Sequence, residues 1–421
     1  MNMHAKPQRT QAETALIDGF VARFSDLPGN EAVIRCRDDA VERLKAGLPT
    51  RRVEAWHYTD LRRLLAIVPA HDAAARAKPL PSLLAGSTVL PVLNGVAANA
   101  PRVEGVTVVP LEQKLADGSM APAMAAGEAA DVIAPLNAAF VTDGWFLDIA
   151  EGAAVEAPIE LQNVQAGGQA HVRFPVRVGA GARATIVERQ SGSGDALVSS
   201  VSHMTVGEGA EVTWVILQEQ PAGATHFGQF NAVLAKDATL TLFVMNTGGK
   251  LVRQEIKVDA NGEGAVFNLR GVNLLTGDSH TDVTMVLDHS APVTTSSEII
   301  RNVVTGKARG VFQGQIRVDR LAQKTDAKMA CNTLLLSDEG EFSAKPELEI
   351  FADDVACGHG ATVTEIDRSH LFYLMARGVP EKLARGLLVK AFVAEVIEEL
   401  EDEALVSALE ERLEAWFAKN G

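Results

Sequence analysis

The feature that most constrains the fold is a phrase that returns at a nearly fixed interval through the middle of the chain. A Gly- or Asp-containing turn and a small residue occur at Glu151-Gly152-Ala153, Gly179-Ala180-Gly181-Ala182, Gly207-Glu208-Gly209-Ala210, Lys236-Asp237-Ala238 and Gly262-Glu263-Gly264-Ala265. The alanines fall at 153, 182, 210, 238 and 265, so successive intervals are 29, 28, 28 and 27 residues. Each phrase runs into an alternating segment such as Ala184-Thr185-Ile186-Val187 or Leu240-Thr241-Leu242-Phe243. A fixed period of that size means stacked repeats, each too small to bury its own apolar face alone. A stacked strand-turn-strand unit predicts a mainly β architecture, a parallel β-helix whose coils bury a shared inner stripe. An antiparallel sandwich is the alternative, but its turns usually recur every ~8–12 residues. The phrase loosens after residue 285, while strand-like segments continue through Val311–Val318 to Ile350. Aromatic residues make up only 5% and 35 glycines are present, which suits small stacked strands better than a helical globule.

Both ends read as helical. Ala12–Phe24 and Glu31–Ala46 carry apolar residues at helical spacing, separated by the break Leu27-Pro28-Gly29-Asn30. A basic and aromatic stretch follows, in which Trp56, His57 and Tyr58 suit either a docking surface or a core anchor. Residues 66–125, rich in Ala, Pro and Gly, carry no assignable pattern. Beyond His359, a short helix over Ser369–Arg377 is stopped by Gly378, and Pro380 takes a first helical position with Glu381 beside it. Leu383, Leu387, Leu388, Ala391, Phe392, Val396 and Leu400 mark one face of a long amphipathic helix. A last helix over residues 404–417 packs on it or on a partner. The expected division is an N-terminal helical or mixed region over 1–140, a β-helix over 141–362 and a C-terminal helical bundle over 363–421. Deleting residues 380–421 should leave the β-helix folded.

With 421 residues and 47% hydrophobic content, the chain can bury a large core. A net charge of -15 argues against binding nucleic acid or an acidic membrane surface. No run approaches the roughly 18–20 apolar residues of a membrane span. The N-terminal stretch lacks the apolar centre of a signal peptide and brings Glu13 and Asp18 early. Cys36, Cys331 and Cys357 are too dispersed for a disulfide framework. These features predict a cytoplasmic protein with reduced thiols.

Chemistry concentrates between Lys345 and Thr362. The segment alternates like a strand, carries Glu347, Glu349, Asp353 and Asp354, and sets Cys357 and His359 either side of Gly358. If extended geometry continues through Gly358, thiol and imidazole share a face and form a ligand pair for a soft or borderline metal. Two ligands do not close a metal site, so another segment, chain or bound group must supply the rest. Glu349, Asp353 and Asp354 are candidate supporting carboxylates, although adjacent aspartates usually mark a solvated turn. A Cys357 thiol nucleophile with an imidazole base, plain packing, or a stand-alone β-helix enzyme working through carboxylates along an exposed groove are the alternatives. Cys331, Cys36 and His370 read as structural. Thr305-Gly306-Lys307-Ala308 lacks the upstream glycine and hydroxyl residue of a phosphate loop, and H-E-x-x-H, C-x-x-C and G-x-S-x-G are absent.

Several segments together are recognisable: Ala308-Arg309-Gly310-Val311-Phe312-Gln313-Gly314, Gln323-Lys324-Thr325-Asp326-Ala327, Leu334-Leu335-Leu336-Ser337 and Lys345-Pro346-Glu347-Leu348-Glu349-Ile350. Ala352-Asp353-Asp354-Val355, Gly358-His359-Gly360-Ala361-Thr362 and Leu371–Gly378 extend the series. Glu54-Ala55-Trp56-His57-Tyr58-Thr59-Asp60-Leu61 joins it near the N-terminus, with His57 where arginine is expected. The chain resembles the SufB/SufD family of iron–sulfur cluster assembly scaffolds over nearly its whole length. The Trp-x-Tyr-Thr segment, the length and the scarcity of cysteine resemble the SufD branch. The resemblance implies a right-handed parallel β-helix between helical ends and a non-catalytic scaffold role. It implies pairing with a SufB-like subunit through the β-helices and docking of a SufC-like ABC-type ATPase on the C-terminal helices. His359 matches the histidine that faces the SufB cysteine where the nascent cluster forms, and Cys357 matches its neighbouring cysteine. Any iron or iron–sulfur cluster would then be held transiently and shared with the partner, with no tightly bound cofactor in the chain alone. Pro380, Leu383, Leu387 and Phe392 mark the helix implied to receive the ATPase, and an isolated subunit is implied to pair with itself as a homodimer.

Overall fold

Where the sequence repeats, the backbone turns in the same way each time. In the computed structural model of the chain, which describes residues 8–98, 101–125 and 127–420, the residue before each phrase alanine has a left-handed φ. Gly152, Gly181, Gly209, Asp237 and Gly264 lie at φ 66°, 64°, 64°, 53° and 74°. Glycine meets that demand without a Cβ clash, and Asp tolerates it better than most residues. The first seven residues of the N-terminal stretch discussed above lie outside the described residues.

In chain order, helices α1 (Gln11–Arg23), α2 (Glu31–Lys45) and α3 (Leu61–Leu64) lead to strands β1 (Thr88–Leu93), β2 (Val96–Ala97) and β3 (Val106–Pro110). Helices α4 (Leu111–Ala116), α5 (Ala121–Met124) and α6 (Ile133–Phe140) follow. The chain then runs as strands: β4 (Asp143–Ile149), β5 (Ile159–Val178), β6 (Arg183–Val206), β7 (Glu211–Gln218), β8 (Thr225–Leu234), β9 (Thr239–Asn246) and β10 (Leu251–Ala260). It continues through β11 (Val266–Leu275), β12 (His280–His289), β13 (Thr295–Val304), β14 (Arg309–Val318), β15 (Asp326–Leu335), β16 (Glu341–Ile350) and β17 (Ala356–Thr364). Helices α7 (Arg368–Ala376), α8 (Glu381–Glu398) and α9 (Glu403–Asn420) complete the described chain.

Alternate strands pair, all in parallel. One face of the solenoid is β6–β8–β10–β12–β14–β16, and the other is β6–β7–β9–β11–β13–β15–β17. The long strands β5 and β6 pair along both faces, with an irregularity between Ala166 and Gly168. This is the β-helix that the period predicts, and the sandwich is excluded because these pairings are parallel. The repeat also persists where the sequence phrase fades. Val293 and Lys324 keep the left-handed turn at φ 61° and 66°, and the alanine column continues as Thr294 and Thr325, whose hydroxyls lie 3.1 Å apart. Two buried threonines that satisfy each other replace two alanines, so the sequence signal disappears while the turn remains.

Inside the coils, residues two apart face the shared core. Ile186, Trp214, Leu242 and Leu269 stack from one face; Phe230, Ile256, Met285 and Phe312 line the other. One column is polar: Asn163 donates to Gln190 at 2.8 Å, Asn246 to Asn273 at 2.7 Å, Asn273 to Asn302 at 2.7 Å, and Asn302 to Thr333 at 3.1 Å. These bonds link one coil to the next and spare groups that would otherwise cost about 1–3 kcal/mol buried alone; the ladder breaks at Gln218, whose side-chain amide has no hydrogen-bond partner among the described residues.

The helices cover the two outer faces. Those of the N-terminal region pack Leu16, Phe20, Trp56 and Phe140 over Leu197, Val201, Phe227 and Leu251. The stretch 66–125, unassigned from sequence, supplies β1, which pairs in parallel with β5, and β3, antiparallel to β4. Trp56 is fully buried, so it is a core anchor, while His57 and Tyr58 are exposed. At the other end, α8 and α9 do not form a free bundle. Val389, Val393, Leu405, Leu409 and Leu413 pack on Val215, Phe243, Val272 and Leu274 of the solenoid. The apolar face read from sequence therefore splits. Val396 is buried and Phe392 lies against Arg301, whereas Leu383 and Leu387 are 55% and 46% exposed. Pro380 is the N-cap rather than the first helical residue, with ψ 143°.

Candidate functional site

The site is built by the last coil. β17 pairs on one side with β15, β16 pairs on one side with β14, and neither has a further neighbour among the described strands. The outer face of β17 is also uncovered: a Cβ built on Gly358 or Gly360 would meet nothing within 4 Å. Register then fixes what faces the lumen. Cys357 aligns with Ala327 and His359 with Met329, both core residues of the coil beneath. The two side chains share the inner face of β17, as alternation predicts. Cys357 is half-buried against the core and His359 is exposed at the mouth.

Burial pushes the Cys357 thiol pKa up, Asp326 and Glu298 add to that, and a hydrogen bond involving the Ala327 backbone offsets part of it. A raised pKa is the reverse of what an activated nucleophile needs. A cation arriving from outside could still displace the proton, since thiolate and imidazole are good ligands for iron or zinc. Among the described residues no three His, Cys, Asp or Glu side chains converge to close a metal site. The pair fits a metal or cluster only as part of a ligand set.

The candidate carboxylates are not brought to the pair. Glu349 lies on the outer face of β16, 3.2 Å from Arg317, and Glu347 is held 3.0 Å from Lys345. Asp354 pairs with Lys324 and sits with Asp353, exposed, on the turn between β16 and β17. Cys331 is fully buried, accepts from Asn302 at 3.3 Å and has its pKa pushed by burial up to about 12, an inert core thiol. Cys36 donates to the Ala121 carbonyl at 3.4 Å, His370 is exposed beside the α7 cap, and Lys307 pairs with Glu339 at 3.0 Å on a simple turn.

One group escaped the sequence reading. Glu298 points inward from β13, fully buried, one register below Met329, and neither carboxyl oxygen has a hydrogen-bond partner. Its signal was present in the alternation Ser296, Glu298, Ile300, which places a carboxyl in line with core positions.

The chain has known relatives. A family model described as "SUF system FeS cluster assembly, SufBD core domain" matches residues 161–392. The chain is 30% identical over 379 residues to the iron-sulfur cluster assembly protein SufD of Escherichia coli, covering 86% of this chain and 88% of that one. It is 28% identical to an iron-sulfur cluster assembly SufBD family protein of Synechocystis, over 84% of each chain. It is also 27% identical to SufD of Bacillus subtilis over 66% of each. With a matched core that takes in the solenoid from β5 onward and runs on into α8, and with relatives that fall on the SufD side, the chain belongs to the SufB/SufD family of iron–sulfur cluster assembly proteins.

Proposed function

We propose that this chain is a scaffold subunit of an iron–sulfur cluster assembly complex, with its chemistry at an interface rather than in a pocket. The observation that carries this reading is the Cys357–His359 pair facing the lumen of an uncapped last coil. Two soft ligands beside an unpaired strand edge make an incomplete site whose natural completion is another protein edge. A SufB-like subunit that adds its strands to β16 and β17 would bring the missing ligands, and iron or a nascent cluster is the cargo held between them. In its absence, two copies of the chain can join through the same edge as a homodimer.

The second contact in this reading is a SufC-like ABC-type ATPase on the C-terminal helices. Phe372, Tyr373, Met375, Leu383 and Leu387 are 72%, 55%, 41%, 55% and 46% exposed, a large apolar surface carried by α7 and α8. Monomeric proteins rarely leave such a surface uncovered. Nucleotide-driven movement of the ATPase would reach the last coil through α7, which follows β17 directly. Among the described residues no helix is long and apolar enough to cross a membrane, and the complex is proposed to work in the cytoplasm.

The test is cluster assembly in the co-expressed three-component complex, comparing wild type with His359→Ala and Cys357→Ala. Loss of cluster with assembly intact, seen by absorbance and by size-exclusion chromatography, is the expected outcome. Full cluster yield from both variants would reduce the chain to an architectural partner.

A further inference from the structure

Glu298 is an expensive residue to keep where it is. The inner column from Leu269 through Glu298 and Met329 to His359 is continuous in register, and the neighbouring column runs Phe267, Ser296, Ala327, Cys357. Glu298 therefore lies two coils below the ligand pair, on the same inner face, with Met329 in the coil between. Its carboxyl is fully buried with no well-formed hydrogen bond to either oxygen among the described residues, Ser296 being the polar side chain beside it. A leucine would fill the same space with no unsatisfied polar atoms, so packing alone does not account for it.

The surroundings show what the carboxyl responds to. Leu269 and Met329 sandwich it, and Ser296 and Ile300 flank it along β13. The strands across the lumen contribute Met285, Leu287, Phe312 and Ile316, all apolar. Arg270, on β11, is the nearest cation, but its guanidinium is engaged with Glu399 and the Leu269 and Ser297 carbonyls. His289 lies 3.2 Å from Ser296, and burial lowers its pKa to about 4, so it brings no charge. Burial raises the Glu298 pKa to about 8, against smaller pulls from Ser296 and Arg270. The group at the mouth with which Glu298 interacts is Cys357, whose thiol it pushes up.

We propose that Glu298 is the internal counter-charge of the lumen mouth: when Cys357 and His359 take up a divalent cation, the Glu298 carboxyl ionises to balance it. A divalent ion on one thiolate and one neutral imidazole leaves a net positive charge against an apolar core. In that low dielectric, a carboxylate two coils away, about 10 Å at the usual strand spacing, stabilises the ion through space without ligating it. The proton balance is explicit. The Cys357 thiol loses its proton as the sulfur–metal bond forms, the Glu298 carboxylic acid loses a second, and both protons leave to buffer. Glu298 is thus a positioning residue for charge, acting through the ligand pair. This inference rests on the reading of Cys357 and His359 as a cation-holding pair.

The experiment is calorimetric titration of the full-length chain with cadmium(II), in two buffers of different ionisation enthalpy at pH 7, with the thiolate–cadmium absorbance followed in parallel. Glu298→Gln keeps shape and folding, checked by circular dichroism. The expected result is that wild type releases about one more proton per cadmium than the variant, which binds roughly tenfold more weakly. Equal affinity and equal proton release in Glu298→Gln would overturn the counter-charge while leaving the ligand pair standing. Cadmium binding undiminished in both Cys357→Ala and His359→Ala would remove the ligand pair itself, and this inference with it.

Discussion

At the scale of single residues, the solenoid depends on one backbone state repeated coil after coil. Gly181, Gly209 and Gly264 adopt the left-handed turn at little steric cost, but Val293 holds the same conformation at φ 61° with a β-branched side chain. Such a residue is strained there. Its side chain is 50% exposed, so little packing offsets the strain. Val293→Gly should therefore stabilise the chain by about 1 kcal/mol, net of the greater freedom that glycine gives the unfolded state. Urea denaturation measures it, and an unchanged or lower midpoint would mean that the turn is not strained. The same scale explains why Glu298 was overlooked and Cys357 was not. A Cys-x-His pair stands out in any sequence with three cysteines, whereas a glutamate in a strand is read as solvent-facing until register places it in the lumen.

At the scale of elements, α8 shows how far an apolar pattern can be read. Helical spacing identifies the helix correctly, but the stripe from Leu383 to Leu400 contains two surfaces. Val389, Val393, Val396 and Ile397 bury against the solenoid, while Leu383 and Leu387, one turn apart near the N-terminus, stay outside. Periodicity reports a face; it does not say whether the chain itself or another protein covers it. Leu383→Glu with Leu387→Glu should change folding stability by less than about 0.5 kcal/mol, since neither side chain is in the core. The same double variant should lose the ATPase in co-purification. Retained ATPase at wild-type stoichiometry would move the docking surface elsewhere. Removing residues 380–421 is the poorer test, because it also strips Leu405, Leu409, Leu413 and Trp416 from Val215, Phe243 and Val272.

At the scale of the whole molecule, the N-terminal region is bound to the solenoid by a buried polar latch. Arg253 donates to Asp282 at 2.6 Å and to the Ala55 carbonyl at 2.8 Å, with its guanidinium 3.9 Å over the Trp56 ring. Thr59 donates to the same Asp282 and lies 2.9 Å from His280 Nε2. The Trp-x-Tyr-Thr segment thus spans a sequence distance of about two hundred residues to satisfy charges on β10 and β12. Trp56→Ala should cost about 3–5 kcal/mol, typical of a buried large aromatic, and should expose residues 49–65 to limited proteolysis. A small stability change with unaltered proteolysis would show that the latch holds without its anchor.

The sequence by itself determined the coil period, the parallel stacking and the side-by-side placement of Cys357 and His359, because local backbone preference and strand alternation carry that information along the chain. The tertiary structure alone decided that Glu349 faces away from that pair, that Glu298 lies beneath it, and that the terminal helices cover opposite faces of one solenoid. Those outcomes depend on which strand meets which, and in what register, across 26 to 32 residues of chain from coil to coil. A residue's own neighbourhood in sequence does not contain that distance.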